Sequence, residues 1–415
     1  MKRLAKLITP LAFLSAGVPL HASAGTEDWS INGQLRATSY QTQNNQSGAL
    51  AELQQLGVSP FPASANELHL EHEINLRSQY LQATLSSRIY RDRQQQSHEQ
   101  SWLNEAYTSH EIGAWQLSLG RKIMSWDVAY GFRPNDMVQQ EQRRSLYSST
   151  LTGKDLVSAE YFNARQSLAL VSWRQAGNNT EAANQVYAMR AYQRLAEADW
   201  YGFARYSATQ NWSLGTAFSW VANEALELHG SYRYYQQRPG LREHSKNLIN
   251  LSTPWQVENL HSHSQVLIGA TYTTPEQHSL YFEYWYDGLA LSSAAWNNWQ
   301  TRQNQLLQAY QQKTISAAQL APQLAWQSQA LSVAENLRQH TVFLRWSWQQ
   351  EAWQYAADLL WHPEDRGRIA SATISWQGDR SRLEFGARHY AGPDTAAVRQ
   401  LADRSKVFVN LSWSY

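Results

Sequence analysis

The sequence predicts an all-β fold, a transmembrane antiparallel β-barrel, and three observations support this prediction. Along its 415 residues, apolar and polar residues alternate in about eighteen segments of roughly ten residues, which gives each strand one apolar and one polar face. The connections between these segments alternate between short and long, as in outer-membrane barrels. The chain also carries 19 Trp and 22 Tyr, which suits aromatic girdles at two membrane interfaces.

The alternating segments have the length that a tilted membrane strand needs. They lie approximately at 29–40, 67–78, 80–91, 101–111, 114–123, 154–163, 165–174, 185–194, 199–208, 211–221, 224–235, 264–273, 277–288, 337–349, 351–362, 368–377, 380–390 and 405–415. We therefore expect about 18 strands, with 16 as the alternative, because single-chain bacterial barrels have an even number.

The longer connections are expected on one side of the membrane. They cover 41–66, 92–100, 124–153, 175–184, 236–263, 289–336 and 391–404. Short periplasmic turns and long extracellular loops are the outer-membrane pattern, whereas a soluble β-sandwich has no reason to sort its loops in this way.

The first 24 residues have the pattern of a secretory signal peptide. Lys2, Arg3 and Lys6 form a basic region, residues 7–20 are mostly apolar, and small residues at 22–24 suit cleavage. We expect 1–24 to be removed and 25–415 to form one barrel domain. Export places that domain in the outer membrane of a Gram-negative bacterium as a multi-pass β-barrel.

The last ten residues, KVFVNLSWSY, resemble the closing strand of bacterial outer-membrane barrels. Val409, Leu411, Trp413 and Tyr415 alternate with polar residues, and the chain ends on an aromatic side chain. We expect these four residues to be the signal that the barrel-assembly machinery reads.

The same alternation predicts which charged side chains point into the lumen. In residues 67–78, Leu68, Leu70, Ile74 and Leu76 face lipid, so the residues between them face inward. The predicted lumen residues of the strands are Glu71, Glu73, Arg77, Arg88, Lys122, Arg205, Arg233, Glu283, Arg345, Arg382 and Arg388. Their mixed signs indicate a water-filled lumen without strong anion or cation selectivity.

Two long loops are candidates for closing or narrowing that lumen. The loop at 124–153 contains several potential ion-pairing residues, among them Asp127, Arg133, Asp136, Arg143 and Arg144. It either folds inward as a constriction or stays solvated at the surface. The loop at 289–336 and the segment 49–56 have partly helical patterns, and they could cap the lumen or bind a partner.

Aromatic residues are also predicted on the inner face. Tyr201, Phe203, Tyr235, Tyr281 and Trp285 have inward parity. They would either stack against sugar rings or contact loops that fold into the barrel.

Several other functions lack support in the sequence. There is no cysteine, so disulfides and thiolate nucleophiles are excluded. Neither a G-x-S-x-G nor an H-E-x-x-H motif occurs, so we expect no enzyme activity, no metal and no cofactor. His261 and His263 form an H-S-H whose metal-binding alternative needs a third ligand, and too few residues precede the second strand for the plug domain of a TonB-dependent transporter.

Residues 102–137, WLNEAYTSHEIGAWQLSLGRKIMSWDVAYGFRPNDM, resemble porin-like outer-membrane families, including the alginate-export-type barrels. The resemblance covers a Leu-x-Glu-Ala-Tyr strand, a Gly-Arg turn into Trp and a later Pro-x-Asp. It implies a large monomeric barrel that passes polar or saccharide solutes. It also implies pore or loop-anchoring roles for Glu105, Arg121, Trp126, Arg133 and Asp136.

The sequence therefore predicts a porin-like channel for the diffusion of small polar solutes, saccharides among them. The alternative is the barrel of a polymer-export or multi-protein complex, closed without its partners. Expected partners are outer-membrane lipid, lipopolysaccharide, the barrel-assembly machinery, a small polar solute and a periplasmic or surface protein. A formal net charge of +1 gives no bias toward nucleic acid.

Overall fold

A computed structural model describes residues 29–57, 64–138, 151–175, 184–332 and 334–415, without the side chains of 64, 65 and 332. The predicted signal peptide lies outside these residues. So do Arg143 and Arg144, two of the predicted constriction residues.

Eighteen antiparallel strands form one closed sheet, as the sequence predicted. They are β1 (Ser30–Asn44), β2 (Ser64–Arg77), β3 (Leu81–Arg91), β4 (Ser97–Ile112), β5 (Trp115–Lys122), β6 (Lys154–Phe162), β7 (Gln166–Gln175), β8 (Asn184–Leu195), β9 (Ala198–Ser207), β10 (Asn211–Val221), β11 (Leu226–Glu243), β12 (Trp255–Thr273), β13 (His278–Asp287), β14 (His340–Gln350), β15 (Trp353–His362), β16 (Gly367–Gln377), β17 (Ser381–Ala391) and β18 (Asp403–Ser414). Each strand pairs with the next along the chain, and β1 pairs with β18. A barrel of this strand number is too wide for wall side chains to fill.

The predicted loop at 236–263 is shorter than expected. Pairing between β11 and β12 continues from Leu226 opposite Tyr272 to Glu243 opposite Trp255, so His261 lies on a strand. The Arg-Pro-Gly sequence at 238–240 would be expected to interrupt the strand. Beyond residue 236, however, β11 and β12 are paired with each other as a two-stranded ribbon whose outer edges are open. Proline is tolerated on such an edge.

The outer face of the barrel is apolar along its strands. Ile31, Leu119 and Ile268 are more than half exposed, which is stable for side chains in contact with lipid. Trp and Tyr side chains at both ends of the strands form the two girdles of a multi-pass outer-membrane β-barrel. Tyr90 also lies at an outer strand end, but it is not part of the girdle, because its ring stacks on His98 on the lumen side. None of the helices in the described residues has the length and apolarity to span a membrane.

Three helices lie at the end of the barrel that carries the long loops. They are α1 (Ala49–Gln55), α2 (Ser293–Gln311) and α3 (Ala317–Ser332). The Ser292 hydroxyl caps α2 by accepting a hydrogen bond from the Ala295 N–H (3.2 Å). We call α2 and α3 together the helical lid. The two helices confirm the helical structure predicted in the loop at 289–336.

The helical lid crosses the mouth of the barrel. Leu306, Leu320 and Leu324 of the lid pack against Leu53 of α1 and Leu248 of the β11–β12 loop. In a closed ring of eighteen strands, the β1–β2 and β11–β12 connections start almost opposite each other. An apolar cluster that joins both connections must therefore span the opening.

The last residue closes the seam between β1 and β18. The backbone N–H and C=O of Tyr415 exchange hydrogen bonds with Gly33 (3.0 and 3.1 Å). The Tyr415 hydroxyl lies 2.7 Å from His72 Nε2 on the outer face. Because β1 and β2 pair in continuous register, His72 faces outward without a bulge, and the terminal ring partly shields it.

Candidate functional site: the inner loop and the lumen wall

The chain folds into the lumen after β5. We call residues 123–138 the inner loop, which is the part of the predicted 124–153 loop that the structure describes. Its side chains Met124, Trp126, Met137 and Val138 pack on an apolar patch inside the barrel. That patch is formed by Leu156, Ala169, Val171, Trp173, Val186, Ala188, Phe203 and Ala217. The described part of the loop is therefore not a solvated surface loop.

The tip of the inner loop reaches a second patch farther along the wall. Phe132 contacts Trp285 (ring centroids 5.6 Å apart) and clusters with Leu267 and Phe343. The loop thus spans the inner face from β6 to β14.

A buried carboxylate of the wall holds the loop tip. Glu283, fully buried, accepts hydrogen bonds from the backbone N–H groups of Tyr130 and Gly131 (both 2.7 Å). His229 Nε2 lies 3.2 Å from the same carboxylate. Hydrogen bonds to a charged, buried acceptor are among the stronger ones in proteins, so Glu283 is an anchor for the loop.

Two aspartates shape the loop itself. Asp136 accepts hydrogen bonds from the backbone N–H of Trp126 (2.7 Å) and from the Ser125 hydroxyl (3.0 Å). Asp127 accepts them from the backbone N–H of Asn135 (2.6 Å) and from the Ser231 hydroxyl of β11 (2.9 Å). The first aspartate closes the loop on itself, and the second also ties it to the wall.

Asn135 sits in a hollow of the wall. Its amide donates hydrogen bonds to Ser231 Oγ (2.7 Å) and to the backbone oxygen atoms of Thr216 and Tyr232. A Cβ at Gly215 would lie only 1.9 Å from Asn135 Oδ1, so the hollow requires glycine. Arg233 adds a hydrogen bond to the Pro134 carbonyl (2.8 Å).

Burial raises the pKa of the Asp127 carboxyl from 3.8 to about 6, although the N–H groups of Asn135 and Val128 oppose the rise. A carboxyl with a raised pKa binds its proton more tightly when the loop is seated than when it is released. The seated loop is therefore favoured as the pH falls toward 4, and this advantage is lost as the pH rises through about 6.

We expect the current through an open barrel to fluctuate less at pH 5 than at pH 7.5, because protonated Asp127 seats the loop more firmly. These two pH values lie on either side of the Asp127 pKa of about 6. Single-channel recordings at both pH values would measure the difference. Asp127→Asn, which keeps the shape and removes the titration, should abolish it; a variant with the pH response of the wild type would contradict this assignment.

The structure places the fifteen predicted constriction residues that it describes on the lumen side or in the inner loop. Ion pairs on the lumen face of the strands include Lys122 with Glu160 (2.7 Å), Arg345 with Asp358 (2.7 Å), Arg382 with Glu384 (2.8 Å) and Arg36 with Glu71 (3.2 Å). Glu73, Arg77, Arg88 and Arg388 share the inward parity, and Glu105 accepts a hydrogen bond from the Ile123 N–H (2.7 Å). Arg133 lies 3.7 Å from Asp136.

Two of the predicted arginines are buried beneath the inner loop. Arg205 donates hydrogen bonds to the side-chain oxygens of Gln210 and Gln175. Arg233 donates to the Ser213 hydroxyl as well as to the loop. These hydrogen bonds of the two guanidinium groups go to uncharged oxygen atoms.

One residue that the resemblance assigns to the pore lies elsewhere. Arg121 is on the lipid-facing side, where it forms a bidentate pair with Asp155 (2.7 and 2.8 Å). Strand parity explains this placement, because Lys122 takes the inward position next to it.

The predicted inward aromatic residues divide into two groups. Phe203, Tyr235 and Trp285 are buried, and Phe203 and Trp285 contact the inner loop. Tyr201 and Tyr281 are only partly buried, although Tyr201 packs against the cluster that receives the inner loop and Tyr130 of the loop stacks on Tyr281.

Sequence reasoning missed the residues that seat the loop. Asn135 of the loop and Ser231 and Gly215 of the wall match no motif, and nothing in the sequence identified Arg36 as a partner of Glu71. One signal was present: residues 168–171 of β7 are apolar on both faces, and the inward residues Ala169, Val171 and Trp173 are all apolar. A membrane strand with an apolar inner face indicates that something packs inside the barrel.

Across the described residues, no three His, Cys, Asp or Glu side chains are grouped to hold a metal. His261 Nδ1 lies 3.2 Å from the side-chain nitrogen of Gln237 on the paired strand.

Comparison with solved structures supports the fold. The crystal structure of OccAB1 from Acinetobacter baumannii has a TM-score of 0.57 to this chain at 8% identity, over 93% of this chain and 96% of that chain. A mutant of the Rhodopseudomonas blastica porin has a TM-score of 0.45 at 9% identity, over 94% of this chain and 100% of that chain. No protein-family model matches, and neither does any curated protein. The similarity to OccAB1 shows a shared barrel fold.

Proposed function

We propose that this barrel is a porin-like channel of the outer membrane, through which small polar solutes diffuse, and that the inner loop sets its constriction. The observation that carries the proposal is the anchoring of the loop inside the lumen by Glu283, Ser231 and Arg233. A loop held against the inner wall by buried polar contacts narrows the lumen.

The lining of the lumen supports passage of polar solutes. Ion pairs such as Lys122 with Glu160 and Arg345 with Asp358 keep the wall hydrated, and both signs of charge are present. Weak contacts of this kind let a solute enter and leave quickly, as conduction requires.

Saccharides are the solutes that we favour. Tyr130 at the loop tip stacks on Tyr281 (centroids 5.1 Å apart), and Tyr192 lies against Tyr201 (5.2 Å). Tyrosine faces with nearby hydroxyl and carboxylate groups, such as Tyr192 bonded to Asp199 (2.8 Å), offer both a stacking surface and hydrogen bonds to sugar rings.

The helical lid favours a second candidate function. Its apolar contacts with α1 and the β11–β12 loop span the mouth. A barrel closed in this way until a partner displaces the lid would belong to a polymer-export or multi-protein outer-membrane complex.

Single-channel recording in planar bilayers separates the two functions. We expect the wild type to give stable current steps, with brief blockades when maltohexaose is added to one side. Replacement of residues 294–331 by a short Gly-Ser linker should raise the current modestly, because the inner loop, not the lid, is the narrowest point.

Heat-modifiability on gels must first show that each barrel is folded. A silent wild type that conducts after removal of the lid would support the second candidate. Silence of both folded proteins would rule out the channel, and steps without maltohexaose blockades would leave a porin for solutes other than saccharides.

A further inference from the structure

A hollow lies on the outer face of the barrel, across four neighbouring strands. Its volume is about 560 Å³, and strand pairing arranges the outward residues around it in rows. The lower row is Ile374, Phe385, Val409 and Ser39, and the next row toward the mouth is Ala372, Ala387, Val407 and Gln41.

Small side chains create this hollow. Ala372 and Ala387 face each other on β16 and β17, and Ala370 continues the line toward the mouth. Other facing positions on the outer surface hold bulky side chains, for example Phe282 opposite Leu344. The hollow therefore forms a vertical groove, open at the level of the membrane interface.

Polar side chains replace apolar ones at the upper end of the groove. The row above contains His389, Ser405 and Gln43, and the Ser405 hydroxyl donates to the Gln43 side-chain oxygen (3.1 Å). Arg368 stands one row higher, diagonal to His389. Both Arg368 and His389 are exposed.

The height of this polar end matches the headgroups of the bilayer. Arg368 pairs across the strands with Trp361, a residue of the outer aromatic girdle, and such girdles lie at the headgroup level. From Arg368 down to Ile374 the strand covers about 20 Å, at about 3.3 Å per residue. Gln43 and Gln41 lie in the two rows between, those of His389 and Ala372 respectively, where ester and amide carbonyls of a lipid would be.

We propose that this groove binds one phosphorylated, multiply acylated lipid of the outer leaflet. An acyl chain fills the hollow over Ala372 and Ala387. Gln43 and Gln41 hydrogen-bond to the acyl linkages, and Arg368 and His389 hold the phosphate. A guanidinium recognises phosphate through paired, charge-assisted hydrogen bonds, and an acyl chain is the apolar group that a bilayer supplies to such a hollow.

Native mass spectrometry of the detergent-purified barrel tests the site, with bis-phosphorylated lipid A as the probe. We expect the wild type to retain one lipid A. Arg368→Ala combined with His389→Ala should retain it about tenfold less, since each lost charge-assisted contact weakens binding. Ala372→Phe combined with Ala387→Phe should do the same by filling the hollow, and its outward position leaves the fold intact.

The matched control is Arg174→Ala, which removes an exposed arginine at the outer rim of β7. Retention unchanged in this control but reduced in both double variants would support the site. Equal loss in the control, or no loss after the hollow is filled, would overturn it. Equal retention of dephosphorylated lipid A would also overturn it, because binding of the phosphate by Arg368 and His389 is part of the proposal.

Discussion

Replacement of Gly215 by valine is expected to release the inner loop and to raise single-channel conductance about twofold or more, since the narrowest point limits the current. The new Cβ would lie 1.9 Å from Asn135 Oδ1 and 2.8 Å from its Cγ. Asn135 would have to leave its hollow. The loop would then lose the three hydrogen bonds of the Asn135 amide, and the Arg233 contact with Pro134 would be strained.

Gly202 provides a close control for this substitution. It lies on the adjacent strand, opposite Thr216, and a Cβ there meets nothing within 4 Å. Gly202→Val adds the same side chain to the lipid-facing side and should leave conductance unchanged.

Limited proteolysis gives a second, independent measurement. Phe132 is buried against Trp285, and a released loop should become cleavable by chymotrypsin after this residue. Cleavage after Phe132 without a rise in conductance would mean that the loop moves but does not form the constriction. Wild-type behaviour in both measurements would contradict the anchoring role of Asn135.

Replacement of Gly33 by valine is expected to prevent closure of the barrel and to reduce refolding yield in detergent about fivefold or more, because a strained seam leaves two strand edges unpaired. A Cβ at this position would lie 2.4 Å from the Tyr415 hydroxyl oxygen, 2.5 Å from its Cζ and 2.8 Å from the Glu73 carbonyl. The terminal ring would be displaced, and the Tyr415–Gly33 backbone pair would be distorted.

Refolding of the purified chain separates this effect from recognition by the assembly machinery, which we expect to read Tyr415 in the cell. The double variant Gly33→Val with Tyr415→Ala removes most of the clash and should recover part of the yield. Tyr415→Phe, which loses only the hydrogen bond to His72, should refold nearly as well as the wild type. A yield for Gly33→Val equal to that of Gly202→Val would show that the terminal ring is not needed at the seam.

The strands and their faces could be predicted from local patterns. A residue in contact with lipid must be apolar, and its neighbours in the strand point into water, so alternation alone locates Lys122, Glu283 and Arg345 on the inner face. The eighteen strands and the helical segment in the loop at 289–336 followed from the same kind of short-range periodicity.

The destination of each loop was decided by the tertiary structure. The inner loop depends on contacts between residues far apart in sequence, such as Tyr130 with Glu283 and Asp127 with Ser231. The pairing of Glu71 with Arg36 across β1 and β2 and the lid contacts with α1 are of the same kind.

Sequence by itself therefore determined the barrel, its membrane-facing surface and the charged character of its lumen, because each of these is imposed residue by residue by the solvent on either side of a strand. Only the tertiary structure decided what narrows the lumen, what covers its mouth and where a groove opens on its outer face. Those features arise where closure of the sheet brings separate loops and strands together, and no periodic pattern in the sequence predicts contacts between such distant segments.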